Sequence, residues 1–301
     1  MALKVLVTGG CGFFGANFIL YALQNTKWDL VSIDKLTSGS LNNIGRMIDI
    51  KRHKLYLGDV CDYQFVRNVF DIERPDIVIH MSNERGKDFI KTNVDGTNNV
   101  LDIASQNKIQ RFINISTNKV YGFSKEPNSE NSPLKPLTPY ATSKAAADLL
   151  GQSYFNTKGL PVITARFCDN FGPRQDAAGL VGKTIINVLN DTATTFDEQE
   201  NKEWIYIKDS FGAIQCLVEK GQPGKIYNVG SGVEKTNLEV FNAVMEAMDR
   251  SVIKSDAANN KNCIMTSDEI KALGWQLQYE FKAAILHTVG WMKSNGWFWK
   301  K

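Results

Sequence analysis

The feature that most constrains the fold is the alternation of short Val/Ile-rich runs with stretches of helical periodicity over the first 167 residues. The apolar runs predict strands at 4–8, 29–34, 54–60, 76–80, 111–116 and 161–167. Helical spacing between them predicts helices at 15–25, 63–73, 92–107 and 140–157. Continuous apolar strands separated by helices are typical of a parallel sheet covered on both faces. Right-handed crossovers then predict a doubly wound α/β fold.

The rhythm changes after residue 167. A polar, mixed stretch follows, then one short predicted strand at 226–232 and two amphipathic helices near the C-terminus. We expect residues 1–167, with a returning segment near 205–230, to form one domain. Residues 168–301 should form mainly a smaller, interleaved α/β domain.

Charge and composition argue against several classes of function. The net charge is only +3 over 301 residues and no polybasic cluster occurs, so we expect no nucleic-acid partner. No apolar stretch approaches the roughly 20 residues that span a bilayer, and the N-terminus runs straight into a strand pattern, so we expect no membrane partner and no signal peptide. The five cysteines are scattered without zinc-ligand spacing, which predicts no metal site and a cytoplasmic location.

A glycine-rich turn, "VTGGCGFFGANF", follows the first predicted strand and opens the first helix. Gly9, Gly12 and Gly15 occur at three-residue intervals. Such glycines let the backbone approach a pyrophosphate, and the helix N-terminus offers free N–H groups to it. The turn therefore predicts a dinucleotide site, with an ordinary tight turn as the alternative. Phe13 and Phe14 fall in the same turn and are assigned to the cofactor with it.

Two acidic residues at strand ends refine the choice of dinucleotide. Asp34 ends the second strand about 20 residues further on, where a carboxylate accepts hydrogen bonds from the adenosine ribose and repels a 2′-phosphate. This favours NAD over NADP. Asp59 closes the third strand and could face the adenine; a surface turn is its alternative. Lys35 and Val60, their neighbours, complete the predicted cofactor set.

A second signal is the stretch "LTPYATSKAAADLL", in which Tyr140 and Lys144 are four residues apart and share one face of a helix. A free tyrosine has a pKa of about 10, and an adjacent ammonium group with a positively charged nicotinamide ring favours the phenolate. Such a pair could remove or return a hydroxyl proton while a hydride moves to or from the cofactor. A Tyr-x-x-x-Lys pair by itself is common on helix surfaces.

Together, the two signals resemble the extended short-chain dehydrogenase/reductase family, specifically its nucleotide-sugar epimerases and dehydratases. Further segments match in family order: "TNVDGTNNVLDIA", "STNKVYG", "NFGPRQ" and "ALGW". The resemblance implies a Rossmann-type NAD domain at 1–167, a sugar-nucleotide domain at 168–301, a nucleotide-diphosphate sugar as substrate and a homodimer. It also implies a catalytic set of Thr117, Tyr140 and Lys144, in which Thr117 donates to the reacting sugar oxygen or is a bystander.

The middle of "STNKVYG" departs from the similar 4,6-dehydratases, which carry Asp and Glu where this chain has Asn118 and Lys119. Dehydration needs a proton donor and a base, and neither an amide nor a protonated lysine serves. The segment instead resembles CDP-tyvelose-type epimerases, which need only reversible oxidation through a keto-sugar. We therefore expect an epimerase. A divergent dehydratase using Asp169 or Glu84, and a non-catalytic NAD or sugar-nucleotide binder, are the alternatives.

The substrate-binding residues follow from the resemblance and include several departures from it. Asp169 replaces a common Asn, and a lysine replaces an expected arginine at Lys202. Lysine binds phosphate without the bidentate fork of arginine, so the grip on a diphosphate should be looser. The segment after His80 is shorter than in the family, which predicts a more open pocket, while His80 itself is expected in the core. The predicted substrate-binding set is Asn118, Lys119, Asn170, Arg174, Lys202 and Lys261. The alternative is that Asn118 and Lys119 point away from the substrate.

Overall fold

The structure is a computed structural model that describes residues 2–37, 39–45, 51–198, 200–253 and 264–299. Lys261 therefore lies outside the described residues. Within these ranges no helix has the length and apolar character needed to cross a membrane.

The described strands are numbered in chain order. They are β1 Lys4–Thr8, β2 Asp29–Asp34, β3 His53–Leu57, β4 Ile77–His80, β5 Arg111–Thr117, β6 Val162–Phe167, β7 Asp169–Phe171, β8 Asn201–Tyr206, β9 Ile226–Val229 and β10 Glu234–Thr236.

The described helices are numbered in the same way. They are α1 Phe13–Asn25, α2 Leu41–Ile44, α3 Tyr63–Glu73, α4 Thr97–Ser105, α5 Pro139–Lys158, α6 Leu180–Leu189, α7 Ile207–Lys220, α8 Asn237–Ala247, α9 Asp268–Ala272, α10 Phe281–Ser294 and α11 Gly296–Trp299. A π-helical turn, Lys91–Gly96, precedes α4, and a 3₁₀ turn, Asn118–Tyr121, follows β5.

Seven strands form one parallel sheet in the order β3-β2-β1-β4-β5-β6-β9. The predicted doubly wound, Rossmann-type fold is confirmed. The strand order reverses between β1 and β4, where Thr8 pairs with Ile33 on one side and with His80 on the other. Ligands of such sheets bind beyond the carboxyl ends of the strands at this reversal, so the topology itself indicates where a site should lie.

The strands are apolar along their whole length because helices cover both faces of the sheet. Val5, Leu6 and Val7 of β1 are fully buried. His80, at the end of β4, is also fully buried, and its two ring nitrogens contact the hydroxyl oxygens of Thr8 (2.8 Å) and Thr97 (2.9 Å). Burial, with a smaller contribution from a nearby lysine, lowers the pKa of His80 to about 3, so the ring is neutral and structural.

A second, three-stranded sheet has the order β10-β8-β7. Only Cys168 separates β6 in the large sheet from β7 in the small one, and β9 then returns to pair with β6. The chain therefore passes between the two layers, as expected for interleaved units. The division into residues 1–167 and 168–301 stays a prediction.

Two predicted elements have a boundary that differs from the expectation. The strand predicted at 54–60 stops at Leu57, because Asp59 accepts a hydrogen bond from the Cys61 N–H (2.9 Å) and turns the chain. The helix predicted at 92–107 begins with the π-helical turn, whose Asn93 directs its side chain into a neighbouring loop. In both cases a short polar side chain bonds to backbone outside the regular pattern.

Candidate active site

A cleft of about 430 Å³ opens at the carboxyl ends of the central strands, at the predicted position. It brings together residues from both sheets that are far apart in the chain. The predicted residues that line it are Gly9, Gly12, Phe13, Phe14, Gly15, Asp34, Lys35, Asp59, Val60, Thr117, Lys119, Tyr140, Lys144, Asn170 and Lys202.

The glycine turn excludes side chains at two of its three predicted glycines. Gly9 has a φ of +73°, and a Cβ at Gly15 would lie 2.1 Å from the carbonyl oxygen of Gly9, so neither position tolerates a side chain. Gly12 differs, because a Cβ there would meet no atom closer than 3.6 Å and would point into the cleft. Gly12 is the N-cap residue of α1, and no side chain caps the first N–H groups of the helix there. The turn thus leaves both space and a helix N-terminus for an anion.

Asp34 joins the glycine turn to the end of β2. Its carboxylate accepts hydrogen bonds from the Cys11 N–H (2.8 Å) and the Leu36 N–H (2.7 Å) while still lining the cleft. The side chain therefore shapes the loop in addition to presenting a negative edge to a ribose.

Asp59 lies on the same side of the cleft, where its carboxylate is 3.5 Å from the ammonium of Lys35. Burial opposes ionisation of Asp59, but the Cys61 N–H and the nearby lysine outweigh it and lower the pKa of the carboxyl. Lys35 also donates to the Thr92 hydroxyl (3.0 Å). Asp34 and Asp59 thus face the cleft from adjacent strand ends, in the arrangement expected for an adenosine.

Tyr140 and Lys144 lie on the first turns of α5. The helix starts where the Thr138 hydroxyl accepts from the Ala141 N–H (3.1 Å), with Pro139 in its first turn. Lys144 is 3% exposed, and its ammonium donates to the Ile115 carbonyl (2.7 Å), which fixes the side chain against β5. Because both side chains line the cleft, the helix presents a phenol and an ammonium group to the same space.

The two residues after Thr117 adopt different positions. Thr117 lies in the cleft, and its hydroxyl accepts from the Lys119 N–H (3.3 Å) at the start of the 3₁₀ turn. Asn118 is 2% exposed and does not line the cleft, so its predicted contact with substrate is not supported by its position. Lys119 does reach the cleft.

The ammonium of Lys119 forms an ion pair with the carboxylate of Asp169, at 3.1 Å. Asp169 is the main reason that the pKa of Lys119 is raised above its ordinary value. Burial alone would raise the pKa of Asp169, but the ammonium groups of Lys119 and Lys202 outweigh it and lower that pKa. Each partner therefore holds the other in its charged form.

A hydrogen-bonded brace connects α5 to the short loop after β4. The Asn93 side chain accepts from the Glu84 N–H (2.8 Å) and donates to the Glu84 carbonyl (2.9 Å) and to the Ser143 hydroxyl (3.0 Å). Ser143 in turn donates to the Tyr140 carbonyl (2.7 Å). The brace places Arg85, the next residue in the loop, over the ring of Tyr140 at 5.3 Å from its centroid.

Some side chains that line the cleft contain buried polar atoms that lack a hydrogen-bond partner. The hydroxyl of Ser116, Oε1 of Gln175 and the indole N–H of Trp204 are buried, without a hydrogen-bond partner, in side chains that line the cleft. Helix α6 begins nearby at Gly179, again without a side-chain cap. These three atoms are buried beneath the surface of the cleft, so the part of this region that a ligand can reach is the start of α6 at Gly179.

Two of the predicted substrate residues have other partners. Arg174 does not line the cleft; it is buried, stacks on the ring of Trp291 at 4.7 Å and donates to the Asn17 side chain (3.2 Å). Its predicted contact with a diphosphate is therefore not supported. Asn170 lines the cleft, but its side chain already donates to the Cys168 carbonyl (3.0 Å) and accepts from the Ser210 hydroxyl (2.5 Å).

Arg85, Gln175 and Trp204 line the cleft but are absent from the set predicted from the sequence. Gln175 stands next to Arg174 in "GPRQ" and Trp204 follows Lys202 in "KEW", so motif context could have found both. Arg85 carries no such signal, because its position depends on how the loop folds back on α5.

The comparisons with known proteins agree with this geometry. The model of the NAD dependent epimerase/dehydratase family matches residues 5–230. The low-salt glycan biosynthesis protein Agl12 of Haloferax volcanii is 36% identical over 300 residues, which cover 94% of this chain and 96% of that protein.

Two solved structures are also similar. A dTDP-glucose 4,6-dehydratase from Bacillus anthracis in complex with NAD matches with a TM-score of 0.92 and 29% identity over 99% of each chain. A UDP-glucose 4-epimerase from Thermus thermophilus in complex with NAD matches with a TM-score of 0.85 and 26% identity, over 97% of this chain and 99% of that one.

Proposed function

Because the chain belongs to the NAD-dependent epimerase/dehydratase family, we propose that it is a nucleotide-sugar epimerase that acts through a transient keto-sugar. One observation carries the choice of epimerase. The two positions that follow Thr117 bring no carboxyl group to the cleft: Asn118 is buried away from it, and Lys119 is paired with Asp169.

The residues of the cleft fit NAD, the cofactor of the family. The vacant space at Gly12 and the uncapped start of α1 suit the pyrophosphate, and Asp34 suits the adenosine ribose. When bound, NAD accepts and returns the hydride that the sugar carbon exchanges. Lys144, fixed on the Ile115 carbonyl, has further N–H donors for the nicotinamide ribose.

The side chains of the cleft supply what reversible oxidation needs. Tyr140 takes the proton of the sugar hydroxyl as the carbon is oxidised and returns it when the opposite face is reduced. Thr117 donates to the sugar oxygen and holds it during both steps. The only proton that moves is the one between the sugar oxygen and the phenol, so the cycle needs no carboxyl pair.

The end of the cleft that contains Lys202 and the start of α6 suits the nucleotide diphosphate. Lys202 brings positive charge, and the uncapped start of α6 brings backbone N–H groups. Which base and which sugar bind are left open by these contacts, because a diphosphate is common to all candidates.

A divergent 4,6-dehydratase is the second candidate. The similarity to a dTDP-glucose 4,6-dehydratase favours it, and both Asp169 and Glu84 line the cleft. Neither is well suited to the task. Asp169 has a lowered pKa and an ammonium partner, which makes it a weak base and keeps it from serving as an acid. Glu84 is engaged by the backbone N–H groups of Arg85 (2.9 Å) and Gly86 (2.8 Å).

Turnover in heavy water separates the two reactions. A panel of nucleotide-diphosphate sugars is first screened by thermal shift, and products of the best binder are analysed by mass spectrometry and proton NMR. An epimerase returns the same hydride, so the product has the mass of the substrate and no deuterium on carbon. Loss of one water together with deuterium in the C6 methyl group would reject the epimerase.

The Tyr140→Phe variant tests whether the protein is a catalyst rather than a binder. Removing the phenol should lower turnover by roughly 10²- to 10⁴-fold, the usual contribution of a general acid–base group, while NAD binding is retained. Tyr154→Phe is the matched control: it lies on the same helix, but its hydroxyl contacts Asn98 outside the cleft (3.1 Å). Parental turnover in Tyr140→Phe would exclude the proposed chemistry.

Two further features belong to the proposal. Homodimer formation through α4 and α5 and a cytoplasmic location stay predictions from the sequence. Leu149 on α5 is 55% exposed, which is compatible with a covered face. Analytical ultracentrifugation would test the dimer.

A further inference from the structure

We propose that Arg85 is a positioning residue of the redox step: its guanidinium lies over the ring of Tyr140 and favours the phenolate form of that side chain. The inference rests on the proposed role of Tyr140, which both candidate reactions share, and not on the choice between them. Arg85 comes from the shortened loop after β4, in which the sequence analysis assigns no role to this residue.

The geometry is that of a cation–π contact. The central carbon of the guanidinium lies 5.3 Å from the centroid of the Tyr140 ring, within the distance of about 6 Å at which such contacts are favourable. A phenolate ring carries more negative charge than a phenol ring, so the cation stabilises the ionised form more strongly than the neutral one.

The position of Arg85 is held by the brace and does not depend on its own long side chain alone. Asn93 fixes the backbone of Glu84 on both its N–H and its carbonyl and reaches Ser143 on α5. The Glu84 carboxylate accepts from the Arg85 N–H (2.9 Å), which closes the loop locally. The backbone of Glu84 is therefore tied to α5, which places Arg85 opposite Tyr140.

Tyr140 shares the cleft with several charged groups, of which Lys119 interacts with it electrostatically. Lys144 lies on α5 itself, Lys119 comes from the turn after β5, and Asp169 comes from β7. Lys119 and Asp169 neutralise each other at 3.1 Å. Arg85 acts on both, since its charge opposes protonation of Lys119 and helps to keep Asp169 ionised. Its carboxylate neighbour in the chain, Glu84, uses one oxygen for backbone N–H groups.

Arg85 and Lys144 consequently act on Tyr140 from different directions. Lys144 is buried and tied to the Ile115 carbonyl, so its position is set by the sheet. Arg85 is exposed and covers the ring from the open side of the cleft. Because Arg85 is exposed, its loss should leave the fold intact and change the ionisation of the groups that it faces, above all the phenol of Tyr140.

The test compares Arg85→Gln and Arg85→Lys with the parent protein. The ultraviolet absorbance of tyrosinate is titrated for each protein with NAD bound, and the curve of the same protein carrying Tyr140→Phe is subtracted. The difference isolates one tyrosine among nine and needs no turnover, so it stays informative even if the proposed substrate class is wrong. At a fixed pH below the midpoint, Arg85→Gln should contain roughly two- to fivefold less phenolate, the size expected for an exposed cation–π contact.

Activity supplies a second readout. In Arg85→Gln the rising limb of the pH profile of kcat should move to higher pH, and Arg85→Lys should fall between the two because it keeps the charge without the planar guanidinium. Lys87→Gln, an exposed lysine of the same loop outside the cleft, is the control and should match the parent. Superimposable tyrosinate titrations of parent and Arg85→Gln, or a kcat lowered equally at every pH, would overturn the proposal.

Discussion

The ammonium of Lys119 and the carboxylate of Asp169 lie 3.1 Å apart in the cleft, although 50 residues separate them in the chain. Each is an exchange when compared with the family pattern: a lysine stands where similar dehydratases have a glutamate, and an aspartate stands where an asparagine is common. Taken singly, each would place an uncompensated charge in the cleft. Because the two side chains form an ion pair, the charge that one exchange introduces is balanced by the charge that the other introduces.

Removing the charge of Asp169 and removing that of Lys119 should change the affinity for anionic ligands in opposite directions. Asp169→Asn removes a negative charge and should tighten binding of a nucleoside diphosphate roughly fivefold at low salt, whereas Lys119→Met should weaken it by a similar factor. Isothermal titration calorimetry with the nucleoside diphosphate that gives the largest thermal shift measures both. The double variant should return close to the parental affinity, and all differences should shrink at high salt. Equal affinities at low salt would show that the pair lies too far from the diphosphate.

Gly12 and Gly15 should respond differently to alanine. At Gly12 the new methyl group points into the cleft and meets no protein atom closer than 3.6 Å, so Gly12→Ala should keep its melting temperature and bind NAD at least roughly tenfold more weakly. At Gly15 the methyl group would lie 2.1 Å from the Gly9 carbonyl oxygen, so Gly15→Ala should lose both stability and NAD binding. Calorimetric titration with NAD and thermal unfolding without it give the two values.

Gly290→Ala is the control for the glycine pair. Gly290 lies on the exposed side of α10, where an added methyl group would have no atom within 4 Å, and alanine in a helix is up to about 1 kcal/mol more favourable than glycine. The NAD affinity of this variant should equal that of the parent. A Gly12→Ala protein with parental NAD affinity would contradict the placement of the pyrophosphate.

Arg174 should prove to be structural. Arg174→Ala removes the stack on Trp291 and the donor to Asn17, which should lower the free energy of unfolding by about 2 kcal/mol and leave nucleoside diphosphate affinity unchanged. Lys202→Ala is the reciprocal case, because Lys202 lines the cleft and its loss should weaken binding with little effect on stability. Urea unfolding and calorimetric titration distinguish the two. A large affinity loss in Arg174→Ala at parental stability would restore the role predicted from the sequence.

His53 should make the protein sensitive to acid. Its ring is buried in β3 against the Ser32 hydroxyl (2.8 Å), and burial lowers its pKa from 6.5 to about 4. The unfolded chain therefore binds a proton more readily than the folded protein between these values. The contribution of the neutral ring to stability is complete above pH 6.5 and is lost as the pH falls towards 4.

His53→Gln keeps a group that can bond to Ser32 but does not titrate. Between about pH 7 and pH 4 the parent should lose up to about 3 kcal/mol more of its free energy of unfolding than the variant loses. Urea unfolding at a series of pH values measures the difference. Parallel pH dependences of the two proteins would mean that His53 is solvated or protonated in the folded state.

Much of the lining of the cleft near the glycine turn could be predicted because its signals are local. The turn at Gly9 to Gly15 needs only strand, glycines and helix in succession, and Tyr140 and Lys144 share a face through helical spacing alone. Residues elsewhere in and around the cleft were harder to predict from the sequence. Arg174 and Asn170 stand in a motif that the chain uses for packing, and Arg85 depends on a brace whose Asn93 and Ser143 are 50 residues apart in the chain.

The sequence by itself determined the doubly wound sheet, the glycine turn and the phenol–ammonium pair, since apolar periodicity and short-range spacing are properties of neighbouring residues. Only the tertiary structure decided that Lys119 faces Asp169, that Asn118 turns away from the cleft and that Arg85 covers Tyr140. Charges and rings from different strand ends meet where the sheet reverses its order, and their partners are set by that convergence and not by distance along the chain.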